Sequence, residues 1–133
     1  MSTEQLPDKL GKTTKSISDL LSHQKPIIKS EFSCVRNGEF STFINKKQFN
    51  HFLICGIETH VCVYQTAKDL IKLGHDVEII ADAVSSRTEL NKKIGLERIN
   101  SAGGQNTTVE TLLFEHQKVA EGEQFRKIIK LIK

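Results

Sequence analysis

Cys62 lies in the segment Ile54-Cys55-Gly56-Ile57-Glu58-Thr59-His60-Val61-Cys62-Val63, where a short apolar run and a glycine lead into a helical pattern. A helix N-terminus presents free N–H groups and the positive end of a dipole. Both favour a thiolate and can hold a developing oxyanion. Cys62 is therefore a physically sensible nucleophile, expected to be the most reactive of the three thiols. On position alone, a small buried residue is the commoner role for it. Lys29 ends a second short apolar run, Pro26-Ile27-Ile28-Lys29. A lysine beside a thiol lowers the thiol pKa, although a lysine taken alone is ordinarily a solvated surface group. His60 precedes Cys62 by two residues, and i, i+2 neighbours on a helix do not face each other. It reads as exposed or substrate-lining, not as half of a Cys–His pair. Cys55 reads as a packed core thiol, and Cys34 as incidental. Asp82 and Arg87 follow a strand end, where capping and tethering a loop is favoured over lining a cleft. The remaining histidines, His23, His51, His75 and His116, show no metal-ligand spacing.

These residues need a scaffold that brings strand ends and helix starts together. Residues 1–10 read as a loop, broken by Pro7 and Gly11. Thr13 or Thr14 caps a short helix through Leu21, with Ile17, Leu20 and Leu21 on one face. Residues 26–29 form a buried strand. Asn37-Gly38 marks a turn, and a helix follows with Phe40, Phe43, Ile44 and Phe49 inward. His51 to Gly56 is apolar enough for a parallel strand covered on both faces. Thr59 to Leu73 is a helix with Val63, Ala67, Leu70 and Ile71 on one face, stopped by Gly74. Val77 to Ala81 is the next strand. Ser85 or Ser86 caps a helix to about Ala102, which Gly103-Gly104 ends. Residues 105–109 form a short strand, followed by a helix to Gln117 and a helical tail from Glu123 to Lys133. Strand, helix, strand, helix with short links means βαβ units, a parallel sheet and right-handed crossovers.

Composition fits this scaffold and excludes others. The chain has 133 residues, 38% hydrophobic and 26% charged, with no Trp, one Tyr and seven Phe. That suits a single domain with an aliphatic core. A net charge of +3, spread along the chain, gives no case for nucleic acid. No apolar run approaches the roughly 18 residues of a membrane helix. The N-terminus does not read as a secretory signal. Three cysteines, an odd number without metal spacing, suggest a reducing compartment, here read as the cytosol.

The segment Gly56-Ile57-Glu58-Thr59-His60-Val61-Cys62-Val63 resembles the isochorismatase-like superfamily of cysteine hydrolases, which includes nicotinamidases and carbamoylsarcosine amidases. The following helix Gln65-Thr66-Ala67-Lys68-Asp69-Leu70 and the run Asp82 to Arg87 support it. So do Glu97-Arg98-Ile99 with Ser101-Ala102-Gly103, Lys29-Ser30-Glu31-Phe32-Ser33, and the tail from Phe125. The likeness is greatest to eukaryotic isochorismatase domain-containing proteins and covers nearly the whole chain. It implies a three-layer α/β/α sandwich with a parallel, Rossmann-like sheet. It implies Cys62 as nucleophile with Lys29 beside it. Ile57, Glu58, Thr59, His60 and Phe32 would form the oxyanion and substrate site, with a cis peptide at Ile57–Glu58 and the N–H groups of Glu58 and Cys62 facing the oxyanion. It implies no cofactor and no metal, a small-molecule substrate with an amide or related C–N or C–O bond, and a homo-oligomer.

The family's first strand carries an acid-base aspartate, and no residue here matches it. Met1 to Pro7 resembles the loop after the family's second strand. Residues 1–133 are therefore expected to form one incomplete domain without the first strand, first helix and second strand, with impaired or absent hydrolase activity. The rival expectation is a non-catalytic interaction module or a fragment of such a hydrolase.

Overall fold

The computed structural model describes residues 1–132. Its strands run parallel in two groups. In the first, β1 (Thr3–Gln5) pairs with β2 (Ile27–Lys29), placing Gln5 opposite Lys29. In the second, β3 (His51–Ile57), β4 (Asp76–Ser85) and β5 (Gln105–Thr107) pair in that order. The first ten residues are thus not the expected loop. They form β1 and a single helical turn, α1 (Pro7–Leu10), with Pro7 at the first helical position, where its missing N–H costs nothing.

The helix after Asn37 forms as expected. The Asn37 side chain accepts the N–H groups of Glu39 and Phe40 at 3.1 and 3.2 Å, capping α3 (Gly38–Lys47). Such a cap is worth about 1 kcal/mol. Phe40 and Ile44 turn inward, while Phe43 and Phe49 stay partly in solvent. The helix near Thr14 is shorter than its pattern suggests, α2 (Lys15–Ser18). Ile17 and Leu20 are exposed, because nothing packs over that turn tightly enough to bury them.

Beyond β3 the chain does not enter an α-helix directly. Thr59–Val63 forms a π turn, and α4 (Tyr64–Lys72) follows. The expected apolar stripe survives this change, with Val63, Ala67 and Leu70 buried. Gly74, at φ 86°, ends the helix. The next helix, α5 (Glu89–Ser101), is capped by Thr88, whose hydroxyl accepts the Asn91 N–H, and not by Ser85 or Ser86. Ser85 instead ends a β4 longer than expected. After β5 come α6 (Val109–Gln117) and α7 (Gly122–Ile132). The expected end of the tail, Lys133, lies outside the described residues.

One core joins these elements: Ile27, Phe40, Ile44, Val63, Ala67, Leu70, Val77, Ile79, Val84 and Ile99. The expected α/β class with parallel strands and helices holds. The expectation that β3 is covered on both faces does not. Phe52 and Ile54 pack on the core, but Leu53, Cys55 and Ile57, on the alternate face, are exposed. Cys55 is therefore no core thiol.

Leu70 is 1% exposed and Leu20 is 79% exposed. Leu70→Ala is expected to lower stability by about 2–5 kcal/mol through cavity formation. Leu20→Ala is expected to stay within about 0.5 kcal/mol. Urea unfolding of the two variants checks both.

Candidate active site

Lys29 is 4% exposed, far from the solvated default for a lysine. Its position at the end of β2 places Nζ within a cage of neutral oxygens. It donates to Gln5 Oε1, to the Glu31 carbonyl at 2.9 Å and to the Phe32 carbonyl at 3.3 Å. The β1–β2 register delivers Gln5 to this cage. The Gln5 amide is oriented by Nε2, which donates to the Ser30 carbonyl at 2.7 Å. Phe32 contributes its backbone here, while its ring is largely exposed.

Gln5 also meets the nucleophile candidate, for the Cys62 thiol donates to Gln5 Oε1 at 3.9 Å. Lys29 and Cys62 thus share one acceptor. The structure brings Gln5 into the site, although residues 1–10 read as a loop in sequence. The only local signal was a Thr-Glu-Gln triplet too short to read as a strand.

The thiol is not activated as expected. Burial pushes the Cys62 pKa up. Lys29 pulls it down, neighbouring Cys34 raises it further, and the backbone N–H of Glu58 lowers it. The balance lies above the ordinary thiol value, so burial outweighs the cation. Cys34 is therefore not incidental to the site. Its Sγ lies 3.6 Å from Thr3 Oγ1, and its N–H donates to Thr66 Oγ1 at 2.9 Å.

The turn carrying Cys62 is held from two sides. The Ile57–Glu58 peptide is cis. Thr59, fully buried, donates its N–H to Ser86 Oγ at 3.1 Å and its hydroxyl to the Ser85 carbonyl at 2.9 Å. Glu58 Oε2 accepts from the Arg87 Nε at 3.3 Å, so Arg87 tethers. Asp82 caps: its carboxylate accepts the Val109 N–H at 3.0 Å, at the start of α6. From the other side α5 presses Gly95 onto the turn. A Cβ there would lie 2.8 Å from the His60 nitrogen and 2.9 Å from the Thr59 carbonyl carbon. Among the described residues no group of His, Cys, Asp or Glu is arranged to hold a metal ion, and no helix is long and apolar enough to cross a membrane.

A model of the isochorismatase domain matches residues 5–111. The chain is 42% identical over 135 aligned residues to the secreted isochorismatase effector Isc1 of Phytophthora sojae, covering 98% of this chain and 64% of that protein. A solved structure of a Caenorhabditis elegans protein titled MAR1 ribonuclease superposes with a TM-score of 0.84 at 32% identity, over 98% of this chain and 67% of that one. An octameric hydrolase of unknown specificity from Escherichia coli superposes at 0.86 with 19% identity, over 95% of this chain and 64% of that one, and shares the fold. The chain spans a little under two thirds of the length of the curated relatives it matches.

Three outcomes follow from this arrangement. Gly95→Ala is expected to destabilise by about 1–3 kcal/mol through overpacking against backbone, although Ala in a helix is otherwise favoured by roughly 1 kcal/mol; thermal unfolding reads the sign. At neutral pH, iodoacetamide is expected to label exposed Cys55 before Cys62, as mass mapping would show. A raised thiol pKa contributes stability that is intact below the ordinary value of about 8.5 and is lost as pH rises through the folded value. The urea midpoint should therefore fall more steeply above that pH in the parent chain than in Cys62→Ala.

Proposed function

Because the chain belongs to the isochorismatase family, we propose that it carries the nucleophile half of a cysteine hydrolase site for small amides or related C–N or C–O bonds. The observation that carries this reading is the shared acceptor Gln5 Oε1, which places the Lys29 ammonium and the Cys62 thiol on one group. In the proposed reaction Cys62 sulfur adds to the substrate carbonyl carbon. The N–H groups at Glu58 and Cys62 stabilise the oxyanion. Ile57, Thr59, His60 and Phe32 line the substrate position. Collapse of the adduct expels the amine and leaves a thioester, which water hydrolyses.

This sequence of steps needs a group that takes the thiol proton and passes it to the leaving amine. Lys29 as a cation is a poor acceptor near neutral pH. Among the described residues the groups that act on the thiol are Gln5 Oε1, Lys29, Cys34 and the Glu58 N–H, none of them a general base. The raised thiol pKa agrees with a nucleophile at rest. We therefore read residues 1–133, taken alone, as an incomplete domain of low or no hydrolase activity. Two features support that reading: among the described residues the strand groups β1–β2 and β3–β5 share no ladder, and the relatives are longer by about half of this chain's length. Homo-oligomerisation of a longer form is part of the same proposal, as the E. coli neighbour is described as octameric. The three free cysteines support a reducing compartment such as the cytosol.

The test compares this chain with a version extended by an N-terminal strand bearing an aspartate, assayed on a panel of small amides. The extended form is expected to be faster by about 100- to 10,000-fold, the ordinary worth of a general acid-base, with activity abolished by Cys62→Ala. Equal activity in both forms would show the aspartate dispensable. A short RNA belongs in the same panel, since the C. elegans neighbour is titled a ribonuclease. Cleavage of RNA without cleavage of any amide would replace this reading.

A further inference from the structure

Ser86 has no part in the steps above, yet its hydroxyl lies at a junction. Oγ accepts the buried Thr59 N–H at 3.1 Å and lies 3.1 Å from His60 Nδ1. A hydroxyl has one hydrogen to give. With Thr59 occupying an acceptor direction, the protein atom placed to take that hydrogen is His60 Nδ1. The alternative, an Nδ1–H donating to Ser86, would leave the hydroxyl hydrogen to solvent at this half-buried residue, with no protein acceptor among the described residues. Glu58 Oε2 does not settle the ring the other way. It lies 3.6 Å from Nδ1, beyond hydrogen-bond reach, and is engaged by the Arg87 Nε and N–H at 3.3 and 3.4 Å. With Nδ1 as acceptor, the neutral ring carries its proton on Nε2, which has no protein partner among the described residues. The side chain as a whole is 22% exposed.

We propose that Ser86 is a positioning residue that fixes His60 in its Nε2–H form, so that the ring offers one neutral N–H donor to an acceptor oxygen of a substrate held at Cys62. This rests on the reading of Cys62 as nucleophile and narrows its substrate class to molecules with a carbonyl or carboxylate oxygen beside the reacting carbon. The backbone supports such precision. Gly95 packs against the His60 nitrogen, and Thr59 is tied to Ser85, so the ring springs from a main chain gripped on both sides.

Two measurements on the folded chain test the proposal. The first is the ¹⁵N spectrum of the His60 ring at about pH 8.5, above the ordinary imidazole range, assigned with His60→Gln. The expected result is the Nε2–H pattern in the parent, a mixture in Ser86→Ala, and recovery in Ser86→Thr, which keeps the hydroxyl. An Nδ1–H pattern in the parent, or an unchanged spectrum in Ser86→Ala, overturns the positioning role. The second measurement, in a Cys55→Ser background, compares alkylation of Cys62 by iodoacetamide, which carries a carbonyl oxygen, with alkylation by allyl iodide, which has none. Ser86→Ala is expected to lower the iodoacetamide-to-allyl ratio about fivefold, the worth of one neutral hydrogen bond. A shifted tautomer with an unchanged ratio overturns the donor role. If Cys62 resists both reagents, the nucleophile reading fails, while the spectra still decide what Ser86 does to His60.

Discussion

An ammonium group taken out of water must be surrounded by oxygens, since an isolated buried charge costs several kcal/mol even after relaxation. At Lys29 this requirement organises the N-terminal third of the chain. The lysine lies at the end of β2 with no carboxylate among the described residues paired to it in an ion pair, and three neutral oxygens solvate it: one side-chain amide and two backbone carbonyls. Supplying the amide fixes β1 in register against β2, because only that alignment sets Gln5 beside Lys29. Supplying the carbonyls bends residues 30–33 back over the strand end. The same amide oxygen then receives the Cys62 thiol, linking the first strand group to the turn that follows β3. Shifting β1 by one residue would carry Gln5 to the other face of the sheet, and the lysine, the loop and the thiol would lose their common partner together.

The site is held in a protonated, resting state by ordinary forces. Burial disfavours the thiolate, and the thiol's weak hydrogen bond to Gln5 stabilises the proton-bearing form. A lysine nearby is not sufficient to reverse these terms when it is itself shared among three oxygens. The chemistry expected of a strand end beside a helix start therefore depends on who else stands there, and proximity of a cation to a cysteine does not by itself make a reactive thiol.

What was legible in the sequence was local. The strand–turn–helix run around Cys62, the strand ending in Lys29, the Asn37 cap and the stripe Val63-Ala67-Leu70 all follow from patterns within a few residues. What was hidden depended on distant partners. β1 is three polar residues long and exists because β2 and Lys29 give it a ladder and a task. Cys55 looked like core because an apolar run cannot tell one covered face from two; only the observed packing shows its face open. Ser86 resembled a helix cap in sequence, but its hydroxyl is spent 27 residues away on Thr59, and Thr88 does the capping.

The π turn at Thr59–Val63 places a counting rule on this stretch. Val63 N–H reaches back five residues to the Glu58 carbonyl, and Tyr64 N–H to that of Thr59, where an α-helix would reach back four. The turn is in effect an α turn with one residue inserted. Removing any one of these residues would let the helix close to its regular form and swing what precedes it by about 100° around the axis. The thiol would leave Gln5, and Thr59 would leave Ser86. The number of residues between Glu58 and Tyr64 is fixed by this hydrogen-bond pattern, whatever their side chains. In an evolving gene this interval tolerates substitution far better than it tolerates gain or loss of a codon.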